Sequence, residues 1–215
     1  MAGRELQKSF TGEGLACRRG ERRVFQGVAF ALAPGGALLL GGPNGSGKTS
    51  LLRLMAGLAQ PEQGVITWDG GAIADDPAVH RTRLHYIGHQ EAVKLALTAE
   101  ENLAFWADMR GTANGATDAL RRFKLDARAT WPARYLSAGE RKRLGLARLL
   151  ASAAALWLLD EPITSLDAES TEILLTAIAE HRSAGGCVAL ATHAPLPLPG
   201  AQTLSLAAHT TWRQA

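Results

Sequence analysis

The residues with the clearest chemical potential form a glycine-rich loop, which follows an apolar run and precedes an amphipathic segment. The loop reads Gly42-Pro-Asn-Gly-Ser-Gly47-Lys48-Thr49 and matches the pattern G-x-x-x-x-G-K-[ST]. Glycines let such a loop wrap closely, so that backbone amides and the start of the next helix face phosphate oxygens. Lys48 is expected to reach the β- and γ-phosphates of a nucleotide, and the Thr49 hydroxyl to bind Mg²⁺. The predicted phosphate-binding residues are Gly42, Pro43, Asn44, Gly45, Ser46, Gly47, Lys48, Thr49 and Ser50.

A pair of carboxylates follows a second apolar run, Leu156–Leu159. At the end of a strand beside the loop, Asp160 can hold Mg²⁺ through water, and Glu161 can polarise an attacking water. Two adjacent carboxylates after four apolar residues favour catalysis over an acidic turn. Together with the loop they predict a P-loop NTPase, a class that includes kinases, GTPases and helicases.

Strand and helix patterns alternate along the chain, as expected for an α/β fold with a largely parallel sheet. The predicted strands cover 28–33, 37–40, 64–70, 83–88, 156–160 and 187–192. The predicted helices cover 49–59, a segment after the capping box Thr98-Ala-Glu-Glu101, 117–123, a segment after Ser137 and 168–183. We expect a single domain in which a sheet core, about 1–89 and 154–215, carries an inserted α-helical subdomain, about 90–153.

Composition narrows the class of protein. The chain has 215 residues, is 47% apolar and 20% charged, and carries a net charge of +3. Its basic clusters are local, whereas a nucleic-acid footprint is usually stronger. Cys17 and Cys187 lie far apart in apolar contexts, which indicates a reduced chain. The N-terminus lacks the apolar core of a secretory signal, and the longest apolar run is too short to cross a bilayer, so any membrane role must come through a partner.

Further motifs resemble those of the ATP-binding cassette family. They occur in the family's order and at its usual spacing over the whole chain. They are Gln90 in YIGHQ, LSAGE at 136–140, SLD at 165–167 and His193 in ATHAP. The resemblance implies that Gln90 binds the nucleotide and completes Mg²⁺ coordination, and that His193 senses the γ-phosphate. It also implies that Ser137 and Gly139 contact ATP held by a second copy of the chain. ATP and Mg²⁺ are the implied cofactors.

The chain departs from that family at three positions. Ala138 and Glu140 stand where most cassettes have Gly and Gln. Glu can complete a capping box with Ser137 as Gln would, and we expect the basic run 141–143 to offset its extra charge. Arg19 stands where the family places an aromatic ring against adenine, and its planar guanidinium is expected to stack on the base instead.

Within the family, the motifs are similar to the ATPase subunits of bacterial haem exporters used in cytochrome c maturation. They include IGHQ, ENL at 101–103, LSAG and LDEP. This resemblance implies a peripheral protein on the cytoplasmic face of the bacterial inner membrane, with an integral membrane permease (CcmB-like) docked near Gln90 and the helix after Thr98. Haem handling is expected to lie with the membrane subunits, so we expect neither direct haem binding nor nucleic-acid binding.

Two alternatives remain open on the sequence alone. The same ATPase chemistry would serve a cassette motor for another cargo, such as a peptide or a lipid. A soluble cassette ATPase acting on nucleic acid or ribosomes would use the basic patches, although such proteins usually carry two cassettes or a long coiled-coil insertion.

Overall fold

The computed structural model describes residues 9–89, 92–111, 115–193 and 196–209. In chain order its strands are β1 (Phe10–Arg19), β2 (Arg22–Leu32), β3 (Ala37–Gly41), β4 (Gln63–Trp68), β5 (Gly71–Ala72), β6 (Leu84–Ile87), β7 (Leu156–Asp160), β8 (Cys187–Ala191) and β9 (Gln202–Ser205). Its α-helices are α1 (Lys48–Met55), α2 (Pro77–Thr82), α3 (Ala99–Arg110), α4 (Ala116–Arg122), α5 (Ala138–Ala151) and α6 (Ala168–Ser183). The predicted α/β class is confirmed.

One sheet has the strand order β6-β7-β8-β3-β9. Strand β3 runs parallel to β8 and β9, and β7 runs parallel to β8. Strands β7 and β8 are buried along their whole length, which agrees with their unbroken apolar sequences, LWLLD and CVALA. Because parallel strands end at the same edge, this sheet brings the ends of β3, β7 and β8 together.

A second sheet is antiparallel and has the order β2-β1-β4-β5. The strand pattern did not predict β1, and it predicted only the end of β2. The pairing of β1 with β2 shifts register near Gly12, Leu15 and Cys17. Each such irregularity breaks the two-residue alternation by which a half-buried strand is recognised in sequence.

A single apolar core includes side chains from both sheets and from α1, among them Phe10, Phe25, Leu51, Leu158 and Ala189. Helix α1 contributes one face, with Leu51, Leu52, Leu54 and Met55 buried. It ends at Met55, earlier than the predicted residue 59. Leu58, which the helical pattern included, is 54% exposed.

The described chain divides into two compact units. The first comprises the described parts of Met1–Tyr86, Ala155–Glu161 and His181–Ala215, and it holds most of both sheets. The second comprises the described parts of Ile87–Ala154 and Pro162–Glu180, so it also takes most of α6. Within the second unit, α3, α4 and α5 pack on one another. An inserted subdomain of about 90–153 stays a prediction.

Both helix starts inferred from capping boxes are confirmed. The Thr98 hydroxyl accepts from the Glu101 amide, and the Glu101 carboxylate accepts from the Thr98 amide, at the start of α3. Ser137 and Glu140 form the same pair of bonds at the start of α5. In the part of the chain that the structure describes, none of these helices has the length and apolar character needed to cross a membrane.

Candidate functional site

The predicted phosphate loop connects the end of β3, at Gly41, to the start of α1, at Lys48. Gly47 has φ 103°, and a Cβ there would lie 2.6 Å from Val24 Cγ1, so both the backbone and the space require glycine. Among the described residues, no side chain caps α1 at Gly47. The first amides of α1 are therefore left to an anion, which is the arrangement that binds phosphate at helix N-termini.

Lys48 is the cation of this loop and is only 7% exposed. Its Nζ donates to the carbonyl of Gly42 at 2.8 Å and to that of Pro43 at 3.2 Å. Burial lowers the pKa of Lys48, and the charges of Glu161 and Asp160 act in the opposite direction. The lysine thus curls back over the loop, where its charge faces the carboxylates at the end of β7.

Asp160 and Glu161 lie at the carboxyl end of β7, as the sequence predicted. Asp160 is 3% exposed. The Glu161 amide donates to the carbonyl of Ala191, at the end of β8, over 2.8 Å. Glu161 has φ 49°, a left-handed conformation that costs a non-glycine residue energy and is concentrated at functional sites. The end of β7 and the turn after it therefore place both carboxylates at the edge of the sheet.

His193 completes the cluster from the end of β8. Its Nε2 lies 3.2 Å from Lys48 Nζ and 3.4 Å from Glu161 Oε1. Lys48 Nζ and Glu161 Oε1 thus approach the same ring nitrogen of His193. His193 thus contacts both Lys48 and Glu161, and the structure brings together three residues that were predicted separately from the sequence.

The polar atoms near the loop suit a nucleotide with a hard cation. Ser46 Oγ and Asp160 Oδ2 are buried and have no hydrogen-bond partner among the described residues. Thr49 adds a hydroxyl at the start of α1. Within the described chain, no cluster of three or more His, Cys, Asp or Glu side chains could enclose a metal ion. One carboxylate and one hydroxyl match Mg²⁺, which keeps several waters and shares its coordination with phosphates.

Arg19, predicted to contact adenine, lies exposed at the end of β1, where it pairs with Arg22 across the hairpin. The neighbouring Arg18 is bound to Glu62 at 2.7 Å, whereas the side chain of Arg19 makes no hydrogen bond or ion pair among the described residues. Burial raises the pKa of the nearby Cys17 thiol, and the charge of Arg19 and a hydrogen bond with Ser50 lower it. The hydrogen bond between Cys17 and Ser50 therefore places the end of β1 beside the first turn of α1.

The remaining predicted residues belong to the second unit. Ser137 and Gly139 are exposed at the start of α5. A Cβ added at Gly139 would meet nothing within 4 Å among the described residues, and its φ is not in the left-handed region. No steric reason within the described chain therefore accounts for this glycine near the start of a helix. Gln90 lies outside the described residues.

Sequence reasoning missed one charged contact at the start of α5. The side chains of Arg141 and Arg143 donate to the carbonyls of Leu136 and Phe123, and it is Arg128 that binds the Glu140 carboxylate. The ion pair with Glu140 in the described chain is made by Arg128, and the expected contribution of the basic run 141–143 stays a prediction. Arg128 is 12 positions before Glu140, too far for any local pattern to pair them.

The fold and the loop together define an ATP-binding protein of the P-loop class. A family model described as ABC transporter matches residues 25–164. The chain belongs to the ABC transporter family, as an ATP-binding subunit that hydrolyses ATP.

Named relatives in this family are highly similar over nearly the full chain. The cytochrome c biogenesis ATP-binding export protein CcmA of Rhodospirillum rubrum is 54% identical, over 94% of this chain and 87% of its own length. The protein of the same name from Paramagnetospirillum magneticum is 53% identical, over 92% and 94%. A solved ATP-binding subunit of an ABC transporter, 27% identical, superposes with a TM-score of 0.79 over 86% of this chain and 79% of its own.

Proposed function

We propose that this chain is the ATP-hydrolysing subunit of the haem exporter of c-type cytochrome biogenesis. In this role it couples ATP binding and hydrolysis in a cassette dimer to movement of a membrane partner. The observation that carries the proposal is the 54% identity, over 94% of the chain, to a cytochrome c biogenesis ATP-binding export protein. The cluster of Lys48, Glu161 and His193 supplies the chemistry that such a protein needs.

The phosphate loop, Gly42 to Thr49, binds the phosphates of ATP, and Ser50 extends the same helix start. Lys48 turns from the loop carbonyls toward the β- and γ-phosphates, since a phosphate is a stronger partner for an ammonium than a carbonyl. Thr49 and Asp160 hold Mg²⁺, together with Gln90. When bound, Mg²⁺ offsets the negative charge of the phosphates.

Glu161 orients and polarises the water that attacks the γ-phosphate. It suits this task because it lies at the sheet edge within 3.4 Å of His193 Nε2. His193 senses the γ-phosphate: its Nε2, which lies 3.2 Å from Lys48 Nζ, can bond to the phosphate once Lys48 has moved to it. His193 thus links the presence of the γ-phosphate to the position of Glu161, the residue that polarises the water.

Ser137 and Gly139 act on ATP bound by a second copy of the chain. The exposed start of α5 offers its helix N-terminus to that γ-phosphate. A Cβ at Gly139 would meet no atom of its own described chain. The close approach that requires a glycine at this position is therefore made by a group outside the chain. Closure of two copies around two ATP molecules is a change between two conformational states, and the membrane partner responds to this change.

Arg19 stacks on adenine in place of an aromatic ring. We expect Arg19→Tyr to keep or lower the Kd for ATP, and Arg19→Ala to raise it about fivefold, since stacking on a base contributes roughly 1–3 kcal/mol. Equilibrium titration with a fluorescent ATP analogue measures both variants. Arg22→Ala, on the opposite strand of the hairpin, is the matched control. A large loss of affinity in Arg19→Tyr would reject the stacking role.

As an ABC transporter ATP-binding subunit, the chain works with a membrane partner. We propose that this partner is a CcmB-like permease, which holds the chain at the cytoplasmic face of the bacterial inner membrane. The docking surface includes Leu95, just before α3, and Met109 on α3, which are 52% and 64% exposed. Leu103, on the same helix, is buried and packs inward. Exposed apolar side chains on and just before one helix suit a short cytoplasmic helix of a permease.

Co-expression of the tagged chain with the CcmB-like permease tests this function. We expect the two to co-purify in detergent, and inside-out vesicles containing both to move haem when ATP is supplied. A complex with Lys48→Ala is the control, and it should assemble without moving haem. ATP-driven movement of a different cargo would reject the haem assignment. Salt-sensitive RNA or DNA binding without permease association would favour the nucleic-acid alternative.

A further inference from the structure

The carboxylate of Glu140 makes two contacts at the start of α5. Its Oε2 accepts from the Ser137 amide at 2.8 Å, and its Oε1 accepts from Arg128 Nε at 3.2 Å. The Ser137 hydroxyl in turn accepts from the Glu140 amide at 3.1 Å. The Glu140 side chain is only 19% exposed. One carboxylate therefore joins Arg128 to the backbone and, through the cap, to the hydroxyl of Ser137.

Arg128 is itself held in place. Its guanidinium carbon lies 4.1 Å from the centre of the Trp131 ring, so the cation contacts both an aromatic face and a carboxylate. The backbone carbonyl of Arg128 accepts from the Trp131 amide at 2.9 Å. The Trp131 carbonyl accepts from the Ala99 amide, at the start of α3, at 3.0 Å. The position of Arg128 is thus set by the second unit's own backbone.

The charge at this helix start has two opposing effects. A carboxylate there favours the helix, because it lies at the positive end of the helix dipole. The same carboxylate repels a phosphate that approaches the exposed Ser137 and Gly139. A glutamine would cap the helix without that repulsion. With glutamate at position 140, the site needs a cation that is fixed beside it.

We propose that Arg128 is a positioning residue for ATP hydrolysis: it neutralises Glu140 and keeps its carboxylate on the helix cap, so that Ser137 and Gly139 can receive the γ-phosphate. This inference rests on the proposed function, in which the start of α5 acts on the ATP of a second copy. Arg128 acts through Glu140 and contacts no phosphate itself.

The test is a double-mutant cycle on the purified full chain. We expect Arg128→Gln to lower kcat for ATP about tenfold in the wild-type background, and less than about twofold in the Glu140→Gln background, a coupling within the range of contacting residues. The reason is that Gln at position 140 has no charge left to neutralise. Arg128→Lys, which keeps the charge but not the planar guanidinium, should recover part of the loss.

Two further measurements separate this role from a structural one. The Kd for ADP, which has no γ-phosphate, and the thermal unfolding midpoint should not change in Arg128→Gln. The matched control is Arg122→Gln, which changes an arginine of similar exposure that pairs with Glu180 in the same unit, and it should leave kcat unchanged.

Each unfavourable outcome has a distinct meaning. An equal loss of kcat in both backgrounds would place the effect in packing on Trp131 and overturn the proposal, as would no loss in either. If Lys48→Ala leaves turnover unchanged, the proposed function itself fails. If Lys48→Ala abolishes turnover and no coupling is found, only the role of Arg128 fails.

Discussion

Lys48→Ala should lower ATP turnover by on the order of 10²–10³-fold, the effect of removing a charge-stabilising donor from a reaction centre. Lys48 Nζ lies 3.2 Å from His193 Nε2, and the Glu161 carboxylate lies 3.4 Å from that histidine nitrogen. Removal of the ammonium takes away the group that we propose as the γ-phosphate ligand, and with it the cation that faces the charges of Glu161 and Asp160. Steady-state release of phosphate by the purified chain measures the loss.

The control for Lys48→Ala must separate chemistry from folding, because the lysine also ties the loop through the carbonyls of Gly42 and Pro43. Lys48→Arg keeps a cation and the loop contacts, so it should fold as the wild type does. It should still hydrolyse ATP poorly, since its charge is spread over a planar group. Lys124→Ala removes an exposed lysine that pairs with Glu169, and turnover should not change. Normal hydrolysis by Lys48→Ala would contradict the whole assignment.

Glu161→Gln should keep ATP binding and lose hydrolysis by roughly 10²–10⁴-fold, the usual contribution of a general base. Glutamine has nearly the same shape as glutamate, so the turn after β7 and the contact with the His193 ring can persist. It cannot take up the proton of the attacking water at neutral pH. The chain should therefore accumulate as an ATP-bound dimer.

Two measurements test the Glu161 prediction together. Single-turnover hydrolysis gives the rate of the chemical step, and size-exclusion chromatography with ATP and with ADP gives the oligomeric state. Only ATP should shift the variant to a dimer. Glu180→Gln, which changes an exposed carboxylate that pairs with Arg122, is the matched control and should behave as the wild type. Unchanged hydrolysis in Glu161→Gln would remove Glu161 as the base.

Features that depend on neighbouring residues could be predicted from the sequence. The phosphate loop, the acidic pair after β7 and both capping boxes each lie within eight consecutive positions. In such segments the backbone geometry follows from the residues themselves: glycine at Gly47 permits φ 103°, and the side chains of Ser137 and Glu140 each accept from the other's amide at the start of α5. Their structure therefore needed no knowledge of the rest of the chain.

Features that depend on the chain path could not be predicted in the same way. Strand β1 was missed because its register shifts hide the alternation of buried and exposed residues. Lys48 and His193 are 145 positions apart and meet only because parallel strands end at one edge of the sheet. Arg128 and Glu140 are 12 positions apart, so no local pattern could pair them.

The sequence by itself determined which chemical groups are available to this ATPase: a glycine-rich loop with a lysine, two adjacent carboxylates, and a helix capped by Ser137 and Glu140. Only the tertiary structure decided which charges meet. The reason is that a charge interacts over a few ångströms of space, whatever the separation along the chain. The pairing of Lys48 with His193, and of Arg128 with Glu140, is therefore a property of the fold.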